Sequence, residues 1–560
     1  MRIIVARQSD GTYLLRPPPS LPAAVASTVG LPAAEAAALV RAWEAEHAPR
    51  WVFASVEQVY PPLVAHGVRV GRCLDLALTE YLLLAHAGRH GESRTLAAAH
   101  ARARGLAAPA DTAADHHDLD DSPTLFDVHS SGLPPDVTPL EAAEIVLADQ
   151  EERIRALPHP DRMTLLVAAE SASALAAVEM SADGLPWRAD VHRELLTDLL
   201  GPRTAPGQRP RTLAELAERI AAAFGGKPVN PDHPGSIVRA LRREGIEVSS
   251  ARAHVLRTVD HPAVPPLLEY KELARLHSAH GWAWLDQWVR GDRFRPVYVV
   301  GGVVSGRWAS RGGGALQIPR VLRGCVRADP GWTLVVADAA QLEPRVLAAL
   351  SGDRKLAEVS ASTDLYTSLA GALFGRAPDD GDRDRAKIAM LSAMYGGTAG
   401  EAAALLALLR RRFPHAVSYV ENAAREGESG GVVRSRLGRT SPLPSESWRA
   451  LTGGAGDEVD ARRAARDWGR FTRNFVVQAS AADWTAVLLA TLRRSLPAPA
   501  HLVFFQHDEV LVHCPAELAD QVVGCLDDAV RTATALVFGA ACPVRFPMPA
   551  TAVQVYADAR

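Results

Sequence analysis

The sequence predicts a multidomain α/β protein of the α+β kind, and three observations carry that expectation. At 560 residues the chain is too long for one hydrophobic core, and three or four domains is the natural count. With 48% hydrophobic and 22% charged residues it has the composition of a globular protein. Its β-type runs and helical periodicities also succeed one another in blocks.

Taken in order, MRIIVAR and TYLLR flank Ser9-Asp10-Gly11 and read as a hairpin opening a small α/β unit. A helical pattern follows around Asp75 to Leu84. From about Ala107 to Pro139 the text is loop-like. His116, His117, Asp118, Asp120 and Asp121 have no ligand spacing there and read as a solvated acidic loop, not a metal site. Glu141 to Gly291 is mainly helical, broken by PRTAPGQRPRT and VNPDHPGS. A β-rich piece, VYVVGGVVSGRWAS, begins after Pro296. TLVVAD (333–338) reads as a buried strand running straight into a helix. Further helices continue past Leu409, a long amphipathic helix falls near Asp460–Leu496, and HLVFFQHDEVLVH reads as a hairpin.

The bulk properties exclude several classes. No apolar run reaches the ~20 residues of a membrane span, and the start lacks the pattern of a secretory signal. The five cysteines show no CxxC spacing, which points to thiols in a reducing cytoplasm, not to disulfides or zinc. Net charge is −3, but nucleic-acid binding depends on local basic surface, not on the sum. Lys227, Lys271, Lys355 and Lys387 are the only lysines. Arginine abundance reflects a GC-rich composition, so the lysines are the more informative cations.

Four constellations could carry chemistry. Asp338 ends an apolar strand beside a helix start, which fits an N-cap as well as a metal ligand. His507-Asp508 joins two β-type runs without glycine, which fits plain turn chemistry as well as a presented carboxylate. If the two strands pair, the carboxylates converge and could clamp two metal ions. Arg383, Lys387, Leu391 and Tyr395 recur every four residues along one helix stripe that ends abruptly at Gly396-Gly397. Arg and Lys one turn apart suit a triphosphate, and a solvated face suits them too. Arg462, Arg466, Arg470, Asn474 and Gln478 form a second such stripe, suited to phosphates and base edges or simply to water.

Together these elements resemble the DNA polymerase I family, the family A DNA polymerases. VVADAAQLEPRVLAALSGD resembles the first palm motif, RDRAKIAMLSAMYG the finger helix and QHDEV the second palm motif. SGRWAS with ALQIP, LLEYKELARLHS, LGRTSPLP and NFVVQASAAD agree as well, so the resemblance runs from about Pro228 to Arg560. It implies a Klenow-like right hand with palm, fingers and thumb behind an N-terminal ribonuclease H-like, exonuclease-like domain. The implied limits are 1–155 for the exonuclease-like domain, 156–295 for the thumb, 296–345 and 456–560 for the palm, and 346–455 for the fingers.

The resemblance assigns roles residue by residue. Asp338 and Asp508, with a backbone carbonyl near Ala339, would hold two Mg2+ ions, or Mn2+ as a substitute, and Glu509 would support them. Lys387 and Arg383 would bind the triphosphate, with Lys387 donating a proton to the departing pyrophosphate. Glu343 would be the gate against a ribose 2′-hydroxyl, and Tyr395 would close the nucleotide pocket. Arg307, Arg470, Asn474, Gln478 and His507 would contact primer and template, and Lys271 and Arg275 the duplex backbone from the thumb. Leu391 departs from the family's aromatic residue, Tyr366 from a frequent histidine, and Ala339-Ala340 from a Tyr-Ser pair.

The N-terminal part resembles the family only loosely, chiefly through GVRVGRCLDLALTEYLLL. MRIIVARQSDGTYLL lacks the Asp-x-Glu that proofreading needs, SVEQVYPPLV lacks the second acid, and Ile145 stands four residues before Asp149 where a tyrosine is expected. The expectation is an actinobacterial-type enzyme whose 3′→5′ exonuclease is lost, without room for a 5′-nuclease domain. The implied partners are primer–template DNA and dNTPs, with no membrane, for a monomer working in replication or repair in a bacterial cytoplasm, associated with the nucleoid. The alternatives are a single-subunit RNA polymerase-like enzyme and a catalytically silent primer–template-binding protein.

Overall fold

The computed structural model describes residues 1–16, 27–109, 132–205, 207–314, 318–397, 400–455 and 457–559. The acidic stretch His116–Asp121 and residues 315–317 of ALQIP lie outside them. The chain divides into two compact units. The first comprises Met1–Asp183, Val297–Arg311 and Gly331–Val553, and the second Gly184–Pro296, Gly312–Pro330 and Gln554–Arg560. Both Pro139–Arg155 and Pro160–Asp183, the helices on either side of the 155/156 limit, belong to the first unit.

Among the described residues the first unit contains two larger sheets and a two-stranded one that pairs Val297–Val299 with Ala309–Arg311. The N-terminal one has five strands, in the order Ser27–Leu31, Tyr13–Arg16, Arg2–Arg7, Arg50–Phe53, Arg72–Asp75. Its first hairpin closes as the Ser-Asp-Gly signal predicts, with Gly11 at φ +84° and the Gln8 N–H donating to the Thr12 carbonyl at 2.8 Å. Ile4 and Ala6 face helix Pro139–Arg155 and form an apolar cluster with Leu140, Ala143 and Val146.

The second sheet is antiparallel, in the order His501–Gln506, Glu509–Pro515, Trp332–Asp338, Ala550–Val553. Thr333 to Ala337 are buried without alternation, as expected of a strand covered on both faces. Helix Glu458–Ser495 changes character along its length. Its first turns carry exposed arginines, and from Phe475 to Leu492 it is largely buried. This helix, close to the predicted Asp460–Leu496, and Pro160–Asp183 are long and apolar enough to cross a membrane by length and composition, although polar residues interrupt the apolar run of each. Both are mostly buried inside the protein, which explains their apolarity.

The second unit is built from helices Ala189–Leu200, Arg211–Ala223, Pro234–Arg243, Val264–His280 and Trp282–Trp288. Trp187, His192, Trp284 and Phe294 form its aromatic centre, with ring separations of 4.9 to 5.7 Å. All five cysteines of the chain are free thiols.

Candidate active site

The site begins where strand Trp332–Asp338 stops. Asp338 is the register partner of Glu509, and the Ala339 N–H donates to the Asp508 carbonyl at 3.1 Å. Strand end and hairpin turn therefore lie side by side. The helix after the strand starts at Leu342 with Gln341 at its cap position, φ +48°, so Asp338 is not an N-cap. His507 and Asp508 form a two-residue turn in which His507 adopts φ +58°. A non-glycine residue in that region stores strain, and such strain collects at functional sites. Burial, and then the charge of Asp338, push the Asp508 carboxyl up to about 7. Two crowded carboxylates beside backbone carbonyls are the hard oxygen donors that a divalent cation of the magnesium type prefers. Among the described residues no three His, Cys, Asp or Glu side chains close around an ion. Further oxygens would have to come from backbone, water or substrate, as is usual for magnesium.

A second group surrounds Glu343, in the first turn of helix Leu342–Ser351. Its carboxylate accepts from the Tyr395 hydroxyl at 2.6 Å and pairs with Arg307. Arg307 is set by its neighbours. Trp308 packs edge-on against Phe505 and Tyr298, at 4.8 and 5.4 Å. Gly306 takes φ +84° against the Arg439 guanidinium, and a Cβ there would lie 2.3 Å from Nε. Burial, and then the bond to Glu343, raise the Tyr395 hydroxyl above its ordinary range, while a hydrogen bond with Gln478 acts in the opposite sense. Burial and the charge of Arg307 lower His507.

Helix Asp382–Tyr395 buries Ala386, Ala389, Met390 and Ala393, which turns the opposite stripe outward. It ends where Gly396 takes φ +78° and its N–H closes on the Ser392 carbonyl at 2.8 Å. A Cβ on Gly396 would strike the Arg470 stem at 2.8 Å, so the glycine lets the long helix approach. Arg470 itself pairs with Asp467. Lys387 is exposed and pairs with no carboxylate among the described residues. Arg383 is engaged, with its Nε 2.8 Å from Asp364 and its guanidinium 5.7 Å from the Tyr366 ring centre. Tyr366 is buried, and burial with the charge of Glu343 pushes its hydroxyl up to about 12.

Asp338, Asp508, Glu509 and Ala339 thus meet at one strand end, and Glu343, Tyr395, Arg307, Gln478 and His507 form one linked group. Leu391 and Asn474 are half-buried on their helices. Lys271 and Arg275 lie on helix Val264–His280 of the second unit.

Arg345 escaped the sequence reading. It is fully buried and donates to the carbonyls of Ala340, Ser360, Ser362, Thr363 and Arg545, which ties down the corner after Asp338. The available signal was an arginine on the apolar i, i+3, i+4 stripe of Leu342 and Val346.

Glu80 escaped it too. Fully buried, it accepts from Arg102, Arg153 and Gln150 within 3.0 Å. Asp149 pairs with Arg153 at 3.1 Å.

The model of DNA polymerase family A matches residues 210–548 of this chain. The thermostable DNA polymerase I of Thermus aquaticus is 30% identical over 350 residues, covering 55% of this chain and 41% of its own length. DNA polymerase I of Chloroflexus aurantiacus is 29% identical over 360 residues, covering 57% and 37%. The aligned stretch is therefore well under half of either relative. A solved structure, the POL domain of Pol1 from M. smegmatis in complex with DNA primer-template and dNTP, covers 100% of this chain and 95% of its own. It superposes with a TM-score of 0.71 at 18% identity, a likeness of fold. With more than half of its length matched by the family model, on a fold of the same kind, the chain belongs to DNA polymerase family A.

Proposed function

We propose that the chain is a DNA-directed DNA polymerase, adding dNMP units to a primer 3′-hydroxyl under the direction of a template. The observation that carries this reading is the junction of Asp338 with the His507-Asp508 turn, beside the Glu343–Tyr395 pair. Membership of family A supports it, as does the likeness to a polymerase domain described with primer-template and dNTP.

Asp338 and Asp508, with the Ala339 carbonyl, would hold two Mg2+ ions. Bound there, the ions would lower the pKa of the primer hydroxyl and stabilise charge on the α-phosphate and the leaving oxygen. Lys387 and Arg383 bind the triphosphate, Arg383 after leaving Asp364, and Lys387 delivers a proton to departing pyrophosphate. Glu343 occupies the space of a ribose 2′-hydroxyl and is held there by Arg307 and Tyr395. Arg470, Asn474, Gln478 and His507 line the primer terminus, and Lys271 and Arg275 meet duplex phosphates. The gate at Glu343 favours DNA over RNA synthesis.

The N-terminal sheet has no proofreading role in this reading. Its first strand carries no acid, Ile4 and Ala6 face the apolar side of helix Pro139–Arg155, and Asp149 is engaged with Arg153. The test is a 5′-labelled primer–template in Mg2+, with and without dNTPs, alongside Asp338→Ala and Asp508→Ala. Extension by the wild type should fall roughly a thousandfold or more in both variants. The primer should keep its length without dNTPs. Absence of extension by a folded, DNA-binding wild type overturns the polymerase reading, preferential use of rNTPs overturns the DNA assignment, and primer shortening overturns loss of proofreading.

A further inference from the structure

Three arginines stand abreast in the N-terminal sheet. Arg2 is the register partner of Arg50, and Arg50 of Arg72, on three adjacent parallel strands. Like charges opposite one another weaken a sheet. Arg2 is relieved by an ion pair with Glu151, and Arg72 donates to the Ala48 carbonyl at 2.7 Å. Arg50 has no carboxylate partner among the described residues. Its guanidinium lies below its ordinary range because of burial and then the charges of Arg72, Arg2 and Arg494. Arg494, in the last turn of the long helix, is exposed and likewise lacks a carboxylate partner among the described residues.

Arg50, Arg72 and Arg494 edge a cleft of about 450 Å³. Most of the rest of its lining is apolar, beside the hydroxyls of Thr491, Ser495 and Thr532. Leu165, Ala168 and Ala172 come from helix Pro160–Asp183, Val487 and Ala490 from the long helix, and Leu536, 51% exposed, from helix Ala519–Phe538. The i, i+3, i+7 spacing is that of a core-facing stripe, yet here it opens into a cleft that the alanines leave room to fill. An apolar hollow edged by uncompensated cations fits a ligand with an apolar side chain between carboxylates. Nucleic acid fits less well, because among the described residues no aromatic ring lines the cleft for a base to stack on, and phosphates gain nothing from its apolar lining.

We propose that this cleft docks an acidic segment of a partner protein, which seats an apolar side chain between the helices and lays carboxylates against Arg50, Arg72 and Arg494. None of these residues belongs to the proposed active site, so docking and synthesis are separable.

The test uses the full chain and a set of fluorescein-labelled octapeptides, each with four Asp or Glu residues around two of Leu, Ile or Phe. Fluorescence anisotropy should show saturable binding that weakens as salt is raised. Amidated peptides, in which Asn and Gln replace the acids, should not bind. The double variant Arg50→Gln/Arg494→Gln, and separately Ala490→Phe, should each weaken binding about tenfold or more. Melting temperature and primer extension should not change.

Failure of every peptide to saturate below about 1 mM overturns the proposal. So does equal affinity in wild type and the arginine variant. Loss of DNA binding in that variant with peptide binding intact assigns the cleft to phosphates instead. A wild-type dimer that the same variant dissociates assigns it to a second copy of the chain.

Discussion

The Tyr395 hydroxyl donates to the Glu343 carboxylate at 2.6 Å, joining the end of one helix to the first turn of another far away in the sequence. The same carboxylate takes the Arg307 guanidinium, so Glu343 holds two partners as well as its own position. Glu343→Ala should lower selectivity for dNTPs over rNTPs by about 10- to 100-fold, the scale of one lost charge-assisted contact. It should also weaken dNTP binding, because Tyr395 and Arg307 lose their anchor. Single-nucleotide incorporation of matched dNTP and rNTP pairs measures both. Unchanged selectivity would remove Glu343 from the gate.

Leu391 lies one turn beyond Lys387, half-buried on the same helix, and carries neither a ring nor a hydroxyl. Leu391→Tyr should therefore change the ratio of dideoxy- to deoxynucleotide incorporation by about tenfold or more. Competition between ddNTP and dNTP on one template reads that ratio directly. Equal ratios in wild type and variant would leave Leu391 as packing.

Arg383 and Lys387 share a stripe but not a situation. In the proposed role Arg383 would have to leave Asp364 to reach a triphosphate, whereas Lys387 is already exposed. Arg383→Ala should mainly raise KM for dNTP. Lys387→Ala should lower the single-turnover rate by roughly 100-fold or more, as expected for loss of a general acid. Asp364→Asn should lower KM by freeing Arg383. Pre-steady-state incorporation separates these effects, and a KM-only defect in Lys387→Ala would count against proton donation.

Arg345 bonds five carbonyls from a fully buried site, and burial pushes its guanidinium down to about 10. A lysine cannot reproduce that fork. Arg345→Lys should destabilise the protein by about 2–4 kcal/mol, measured by urea unfolding, and slow extension by displacing the corner after Asp338. Wild-type stability in the variant would show that the carbonyl cage is dispensable.

His192 and His280 are buried in the second unit, and burial pushes each down to about 4 from an ordinary 6.5. Below pH 6.5 the unfolded chain takes up protons that the folded unit refuses. Their stabilising contribution is therefore complete above about 6.5 and is lost as the pH falls towards 4. Each histidine steepens that loss by up to about 1.4 kcal/mol per pH unit. His192→Phe keeps an aromatic ring between Trp187 and Trp284 and should shrink the drop in melting temperature from pH 7 to pH 4.5. An unchanged drop would place the acid sensitivity elsewhere.

The sequence alone determined whatever depends on neighbours in the chain. Asp338 at the end of a strand, His507-Asp508 in a turn and Tyr395 before a helix-ending glycine are local facts, set by residue type and periodicity. The lack of acids on strand Arg2–Arg7 was equally legible.

Only the tertiary structure decided which of these parts meet. Asp338 faces Glu509, and Ala339 reaches Asp508, because sheet order and burial fix the register between distant strands. Tyr395 and Arg307 converge on Glu343, and Asp364 claims Arg383, through packing that periodicity does not encode. Glu80 looks like an ordinary charged residue in the sequence, and Arg345 only stands out on an apolar stripe, and both become buried anchors once their partners surround them. The row of Arg2, Arg50 and Arg72 arises in the same way, from three separate strands brought side by side. Periodicity records which face of an element is buried, while its partners are chosen by the free energy of burying that face against others elsewhere in the chain.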